Sequence, residues 1–292
     1  MTKEADFVSS SEKIKPGKEK HPILRKEFQA FLFFYYGLHA VSGDLRKYIL
    51  ADVGSSAVMG LRRSMGADSK TILSPFAANV NGLENVPRSG PVLVCANHWK
   101  DGPYNGNWIH YALSDAMYQA REEERDLRII MQNGMLFPHI PFRIPHTKRY
   151  AEMIGDMYDF ILVTPFRQIE SGKESSPISE VKKIIKAFRD DQMIGLYPEA
   201  RESKQFRPGH PSAGAVAWSL SQTREDALVL PVGVHANKKD VLSLRVGKPY
   251  PISEIAWAVS RTDSRLKERT YGRISQYMME KIEPLVPSWA FA

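Results

Sequence analysis

From about Thr71 onward the sequence alternates short apolar runs with longer amphipathic ones, and this alternation confines most of the chain to an α/β architecture. A short apolar run has the length of a buried strand, while apolar residues three and four apart give a helix one face to lay on a sheet. The runs place strands at Val92 to Ala96, Arg128 to Met131, Phe160 to Val163, Met193 to Leu196, Ala227 to Val232 and Leu242 to Val246. Helices are expected at Asn105 to Glu123, Ile178 to Arg189, Ala213 to Ser221 and Asp263 to Glu283. The expected fold is a mixed central sheet flanked by helices, with residues 68–292 forming one large α/β domain. The charges REEERD after Ala120 read as the solvated end of a helix.

Residues 1–67 follow another pattern. The first twenty, MTKEADFVSSSEKIKPGKEK, are polar and lack the apolar core of a secretory signal, so residues 1–20 are expected to form a disordered tail. Phe28 to Gly43, FQAFLFFYYGLHAVSG, carries no charge and is flanked by Arg25, Lys26, Arg46 and Lys47. A second helical pattern runs from about Leu45 to Met65, with Leu50, Val53, Val58, Met59 and Leu61, and ends near Arg62 and Arg63. Neither stretch reaches the roughly 20 apolar residues of a spanning helix. Two amphipathic helices with basic flanks over residues 21–67 fit an anchor lying in a membrane interface, its cations against anionic lipid. A helical hairpin packed on the main domain is the alternative.

The 40 Lys and Arg against 33 Asp and Glu leave a formal charge of +7, which favours anionic partners: nucleic acid, phosphorylated substrates or anionic lipid. Dispersed basic residues without a familiar reader motif count against nucleic acid. The single cysteine, Cys95, excludes an internal disulfide framework and makes a reducing cytoplasm the default; it lies in an apolar run and is expected to be buried.

Directly after the first strand comes Asn97-His98-Trp99-Lys100-Asp101. Loops at the carboxyl ends of strands are where open α/β sheets place their sites. A histidine there with an aspartate three residues on forms a base and the carboxylate that orients it: the carboxylate fixes the tautomer and supports the charge that develops as the base takes a proton. Taken alone, HxxD is weak evidence, and a capping or core role is the better reading.

Four further segments come in order: VTPFR at 163–167, LYPEARES at 196–203, FRPG at 206–209 and LPVGV at 230–234. With NHWKD at 97–101, the chain resembles the lysophosphatidic acid acyltransferase family of glycerolipid acyltransferases over roughly Asn81 to Ile252. The resemblance implies His98 as general base, Asp101 as its orienting carboxylate, and Arg167 as the second-motif arginine that helps hold the acceptor phosphate. Tyr197, Pro198 and Glu199 fall on the FPE of the third motif and Pro231 on the proline of the fourth, and Glu199, Arg201 and Arg207 complete the implied substrate-binding set. The sequence departs from the family in two places. Two residues separate His98 from Asp101 where the family has four, and Ala200 stands where the third motif has glycine, which displaces Arg201 by one position.

The implied reaction moves a fatty acyl group from acyl coenzyme A or acyl carrier protein to the hydroxyl of a lysophosphatidic acid-like glycerolipid. A thioester is already an activated donor, so one oriented base beside the hydroxyl suffices, and no cofactor or metal is needed. Arginine suits the acceptor phosphate because its planar fork binds two oxygens at once. The same chemistry on glycerol 3-phosphate, another lysophospholipid or a glycolipid is the first alternative, and a lipid-binding protein without turnover is the second. The resemblance places the protein in the cytoplasm, peripheral on the cytoplasmic face of a membrane.

The remaining features have plainer readings. His110, His139, His146, His210 and His235 lack ligand spacing and are expected to be structural or exposed. Leu136 to Pro145, LFPHIPFRIP, suits an acyl channel or a buried connecting loop. Lys182, Lys183 and Lys186 read as the solvated face of a helix, or as a patch attracting acyl carrier protein or anionic lipid.

Overall fold

The computed structural model describes residues 43–73, 78–99, 106–122, 125–132, 147–163, 177–200, 203–236, 241–260 and 267–291. The expected tail and the aromatic stretch up to Ser42 lie outside the described residues, as does the segment 136–145 with His139. His146 lies outside them too.

Eight strands form one sheet: β1 (Asn79–Asn81), β2 (Val92–Ala96), β3 (Leu127–Gln132), β4 (Ile161–Val163), β5 (Met193–Leu196), β6 (Leu228–Ala236), β7 (Leu242–Val246) and β8 (Tyr250–Pro251). Their order is β1-β7-β6-β2-β5-β3-β4, with β8 also on β6. From β6 through β2, β5 and β3 to β4 every pairing is parallel, whereas β7 and β8 run antiparallel to β6. The sheet is thus mixed, as the sequence pattern predicts. β2 lies between β5 and β6 with all five residues buried, which is why its sequence, VLVCA, is apolar on both faces. Pro231 stands inside β6, where it cannot donate to a ladder. It falls in the gap between the β8 pairing at Leu228 and Val229 and the β7 pairing that begins at Val232.

The helices α1 (Gly43–Tyr48), α2 (Gly54–Met59), α3 (Met65–Leu73), α4 (Gly106–Ala120), α5 (Thr147–Met157), α6 (Pro177–Arg189), α7 (Pro211–Ser221), α8 (Ser253–Ser260) and α9 (Lys267–Ile282) flank this sheet. α3 packs on α4, and α9 packs on α7. The second contact depends on Gly214, since a Cβ there would run into the carbonyl of Tyr271. Cys95 of β2 reaches Met278 of α9, with Sγ 3.6 Å from the thioether sulfur. Burial pushes the thiol above its ordinary range, so it stays protonated and is no nucleophile.

The chain is helical from Gly43 to Met59, a π-turn at Ile49–Val53 joining α1 to α2. Gly60 in the left-handed region ends it: Gly60 N–H donates to Ala57 O and Leu61 N–H to Ser56 O, closing a Schellman motif. Leu45, Ile49, Val53 and Ala57, four apart, enter the same core as the sheet, and Leu50 and Val58 pack against it. Met59 and Leu61 at the turn stay 50% and 42% exposed beside Arg62. Arg63 then returns inward. It forms a two-point ion pair with Asp68 and also donates to Tyr48 Oη and Ser56 Oγ, while Tyr48 and Tyr158 donate to the same carboxylate. Every oxygen of this largely buried pair is met, so it fixes α1 to α3 and to the turn after α5. Burial, followed by the Asp68 hydrogen bond, pushes the Tyr48 hydroxyl up to about 12.

Candidate active site

β2 ends at Ala96, and the next residue secures the exit of the chain. Asn97 Nδ2 donates to Val234 O at 2.8 Å, and its Oδ1 accepts from Val234 N–H at 2.6 Å. One buried side-chain amide thus extends the β2–β6 contact by a rung, and the loop leaves the sheet from a fixed point. His98 and Trp99 follow, with His98 O accepting from Ser203 N–H at 3.0 Å and Trp99 bridged to Ser203 in parallel.

Glu199 joins this loop to the one after β5. Its carboxylate is only 4% exposed, with Oε2 accepting from His98 N–H at 2.7 Å and Oε1 from Arg207 N–H at 2.8 Å. The turn that points Glu199 inward is closed by Ala200 N–H donating to Tyr197 O, and Ala200 takes φ +56, the left-handed conformation that favours glycine. That is the position where the family resemblance expects glycine. The chain then folds back: His210 N–H donates to Pro198 O at 2.7 Å, and Arg207 Nε donates to Ser203 Oγ at 2.7 Å.

His98 as a residue is half-buried, with Nε2 of its ring shut off from solvent, and the ring stacks face to face on Tyr197, with centroids 4.2 Å apart and planes 17° apart. His110, on the second turn of α4 and 6% exposed, adds a third ring, 6.0 Å from His98 and 5.3 Å from Tyr197. Trp99 instead meets Trp289 of the C-terminal 3-10 helix (Ser288–Phe291) edge to face at 5.7 Å, and Trp289 meets His235 at 6.0 Å. His235 is buried in β6; burial, then the Arg245 charge, holds its pKa below the usual imidazole value. Among the described residues no group of histidine, cysteine and carboxylate side chains suited to a metal ion occurs.

Of the residues the sequence singles out, the structure brings His98, Glu199 and Arg207 together. Asp101, Arg167 and Arg201 lie outside the described residues. The strand before Arg167 is described, and its register is informative. Val163, the last residue of β4, pairs with Gln132. Leu127 of β3 and Val92 of β2 both pair with Met193, and Gln132 and Asn97 stand equally far beyond them, so the end of β4 is level with Asn97. β4 is separated from β2 by β3 and β5, which is three strand spacings or about 14 Å. Lys182, Lys183 and Lys186 are exposed on α6 while Ile184 and Phe188 are buried. His210 caps α7, accepting from Ser212 N–H. The sequence reading takes His110 as structural or exposed and gives Tyr197 only a place in the third motif, without the ring contacts of either to His98. The available signal for His110 is its place near the start of the helix that follows the histidine-bearing strand, where a side chain can reach over the strand's end.

No protein-family model matches the sequence, and no curated protein matches it. Among solved structures the chain is similar to the crystal structure of the 1-acyl-sn-glycerophosphate (LPA) acyltransferase PlsC from Thermotoga maritima, at 14% identity, covering 90% of this chain and 95% of that one, with a TM-score of 0.45.

Proposed function

We propose that this protein is an O-acyltransferase that moves a fatty acyl group from acyl coenzyme A or acyl carrier protein to the hydroxyl of a lysophosphatidic acid-like glycerolipid, with His98 as general base. The observation that carries the reading is the convergence of four separate motif segments. NHWKD, LYPEARES, FRPG and LPVGV meet at the carboxyl end of the central strand through Asn97 on Val234, Glu199 on His98 and Arg207, and Ser203 on His98 and Arg207. Two loops and a strand, remote from one another in sequence, thus fix the backbone that carries His98.

A ring nitrogen of His98 takes the proton of the acceptor hydroxyl as its oxygen attacks the thioester carbonyl carbon. The tetrahedral intermediate collapses with cleavage of the C–S bond, and the same proton passes from the imidazolium to the departing sulfur. Asp101 orients the ring. Arg167, with Arg201 and Arg207, holds the acceptor phosphate. Glu199 serves by holding the base-bearing loop. The exposed Met59 and Leu61 beside Arg62 continue the proposed anchor of residues 21–67, peripheral on the cytoplasmic, anionic face of a membrane.

The test is purified protein incubated with labelled acyl thioester and a panel of lysolipids, glycerol 3-phosphate and glycolipid, with products identified by mass. His98→Ala is expected to abolish transfer while far-UV circular dichroism stays native; turnover that survives the substitution removes the mechanism. Arg167→Ala should chiefly raise the acceptor KM, and a pure kcat loss contradicts a phosphate-gripping role.

A further inference from the structure

We propose that Tyr197 is a positioning residue for the base: its ring face sets the plane of the His98 imidazole. This deepens the acyl-transfer reading and rests on it. At 4.2 Å and 17° the two planes lie in face contact, a geometry that resists rotation of the imidazole about its terminal torsion. Tyr197 itself has little freedom, being 8% exposed and held at the head of the Tyr197–Ala200 turn whose next carboxylate grips the His98 backbone. Backbone and ring of the base are therefore both fixed from one turn, Glu199 at the amide and Tyr197 at the imidazole. During transfer the imidazole carries the proton from the hydroxyl oxygen to the leaving sulfur, so it is briefly cationic, and the face of an aromatic ring is where a cation is favourably placed. His110 lies 6.0 Å from His98 and 5.3 Å from Tyr197, so it packs beside the stacked pair on the Tyr197 side and not over the opposite face of the imidazole. Tyr197 and His110 are titratable groups near the His98 ring, and Glu199 meets its backbone amide.

The experiment compares wild type with Tyr197→Phe, Tyr197→Leu and Tyr197→Met, the last two being ring-free side chains of similar volume, one branched and one unbranched and adaptable. Steady-state transfer is measured together with the proton chemical shifts of the His98 ring, assigned through a His98→Gln control. The ring-free variants are expected to lose kcat on the order of 10- to 100-fold, as expected when a reacting group loses its alignment, with both KM values changed less than about threefold. The His98 ring protons should lose the upfield shift that face stacking gives. Tyr197→Phe should recover most of the turnover and keep the shift. Ring-free variants that keep kcat, or keep the upfield shift, overturn the proposal. So does failure of both ring-free variants to fold, which assigns the ring to stability alone. If wild type transfers no acyl group to any acceptor, the acyltransferase reading fails, and the chemical shifts decide the stacking by themselves.

Discussion

Replacing Glu199 with glutamine changes two atoms of charge distribution and leaves the volume intact, so it isolates what the carboxylate does. In the native site two backbone N–H groups point at one anion, from His98 at 2.7 Å and from Arg207 at 2.8 Å. Glutamine offers one carbonyl oxygen and an amide nitrogen that must face one of those N–H groups, donor against donor. A hydrogen bond to a charged acceptor contributes about 1.5–3 kcal/mol, a neutral one about 1 kcal/mol, and an orphaned buried donor costs about 1–3 kcal/mol. Relief of burying an anion offsets part of this loss. The net expectation is about 1–3 kcal/mol of destabilisation, or a Tm lowered by about 3–8 °C in a chain of this size. Turnover should suffer more than stability, because one of the two N–H groups belongs to the base itself and a displacement of about 1 Å can cost a hundredfold. Thermal unfolding followed by circular dichroism gives the first quantity and steady-state acyl transfer the second. The resemblance assigned Glu199 to substrate binding, and that role predicts a raised acceptor KM with Tm unchanged. This last result would refute the bridging role.

Ala200→Gly should raise stability by about 0.5–1 kcal/mol, because an alanine in the left-handed region costs about 1–2 kcal/mol and the added chain entropy of glycine returns only part of it; the urea midpoint should rise with an unchanged slope. Asp68→Asn breaks the ion pair with Arg63 and weakens the hydrogen bonds from Tyr48 and Tyr158, so urea unfolding should show a loss of about 2–4 kcal/mol, somewhat below the figure for a fully buried pair because Arg63 keeps some exposure. His235 has a folded pKa held below its unfolded value of 6.5, so the unfolded chain binds the proton first and stability is lost as pH falls below that value. The urea midpoint of wild type should therefore drop more between about pH 7.5 and about pH 5.5 than that of His235→Gln, and parallel curves would contradict the burial of that ring.

Local pattern sufficed for the middle of the sheet and failed at its margins. β2, β5 and β7 have the limits expected from the sequence; β2 and β5 are buried on both faces and apolar throughout, while β7, LSLRV, turns Arg245 outward. β1 is the tripeptide Asn79–Asn81, too polar to announce itself, and is a strand because β7, far along the chain, offers it a parallel edge. β6 extends beyond the expected Val232 to Ala236 because β7 pairs with that stretch, and Pro231 is accommodated because its missing donor falls at the gap between two partners. α5 was not expected: TKRYAEMIGDM carries a glycine in its interior, and Gly155 is tolerated because Leu162 of β4 packs close against it.

The same division explains the candidate site. Residue types at strand ends are legible, so His98 and the order of the four segments are found without coordinates. What those residues touch depends on register between strands remote in sequence. The Asn97 contact to Val234 follows from β2 and β6 running parallel in step, with Ala96 opposite Val232. Once Asn97 is fixed there, the His98 amide faces the turn after β5, and a carboxylate is the one side-chain type that accepts from two amides while remaining rigid. Glu199 is therefore specified by two N–H groups, His98 and Arg207, that no local sequence window contains together. The left-handed Ala200 follows in turn, because the chain must reverse within one residue to bring Arg207 back to that carboxylate. The position of His98, the proposed base, is thus set by a circuit in which the Asn97 and Glu199 side chains bind backbone groups, so substitutions along that circuit should impair transfer even where they touch neither substrate.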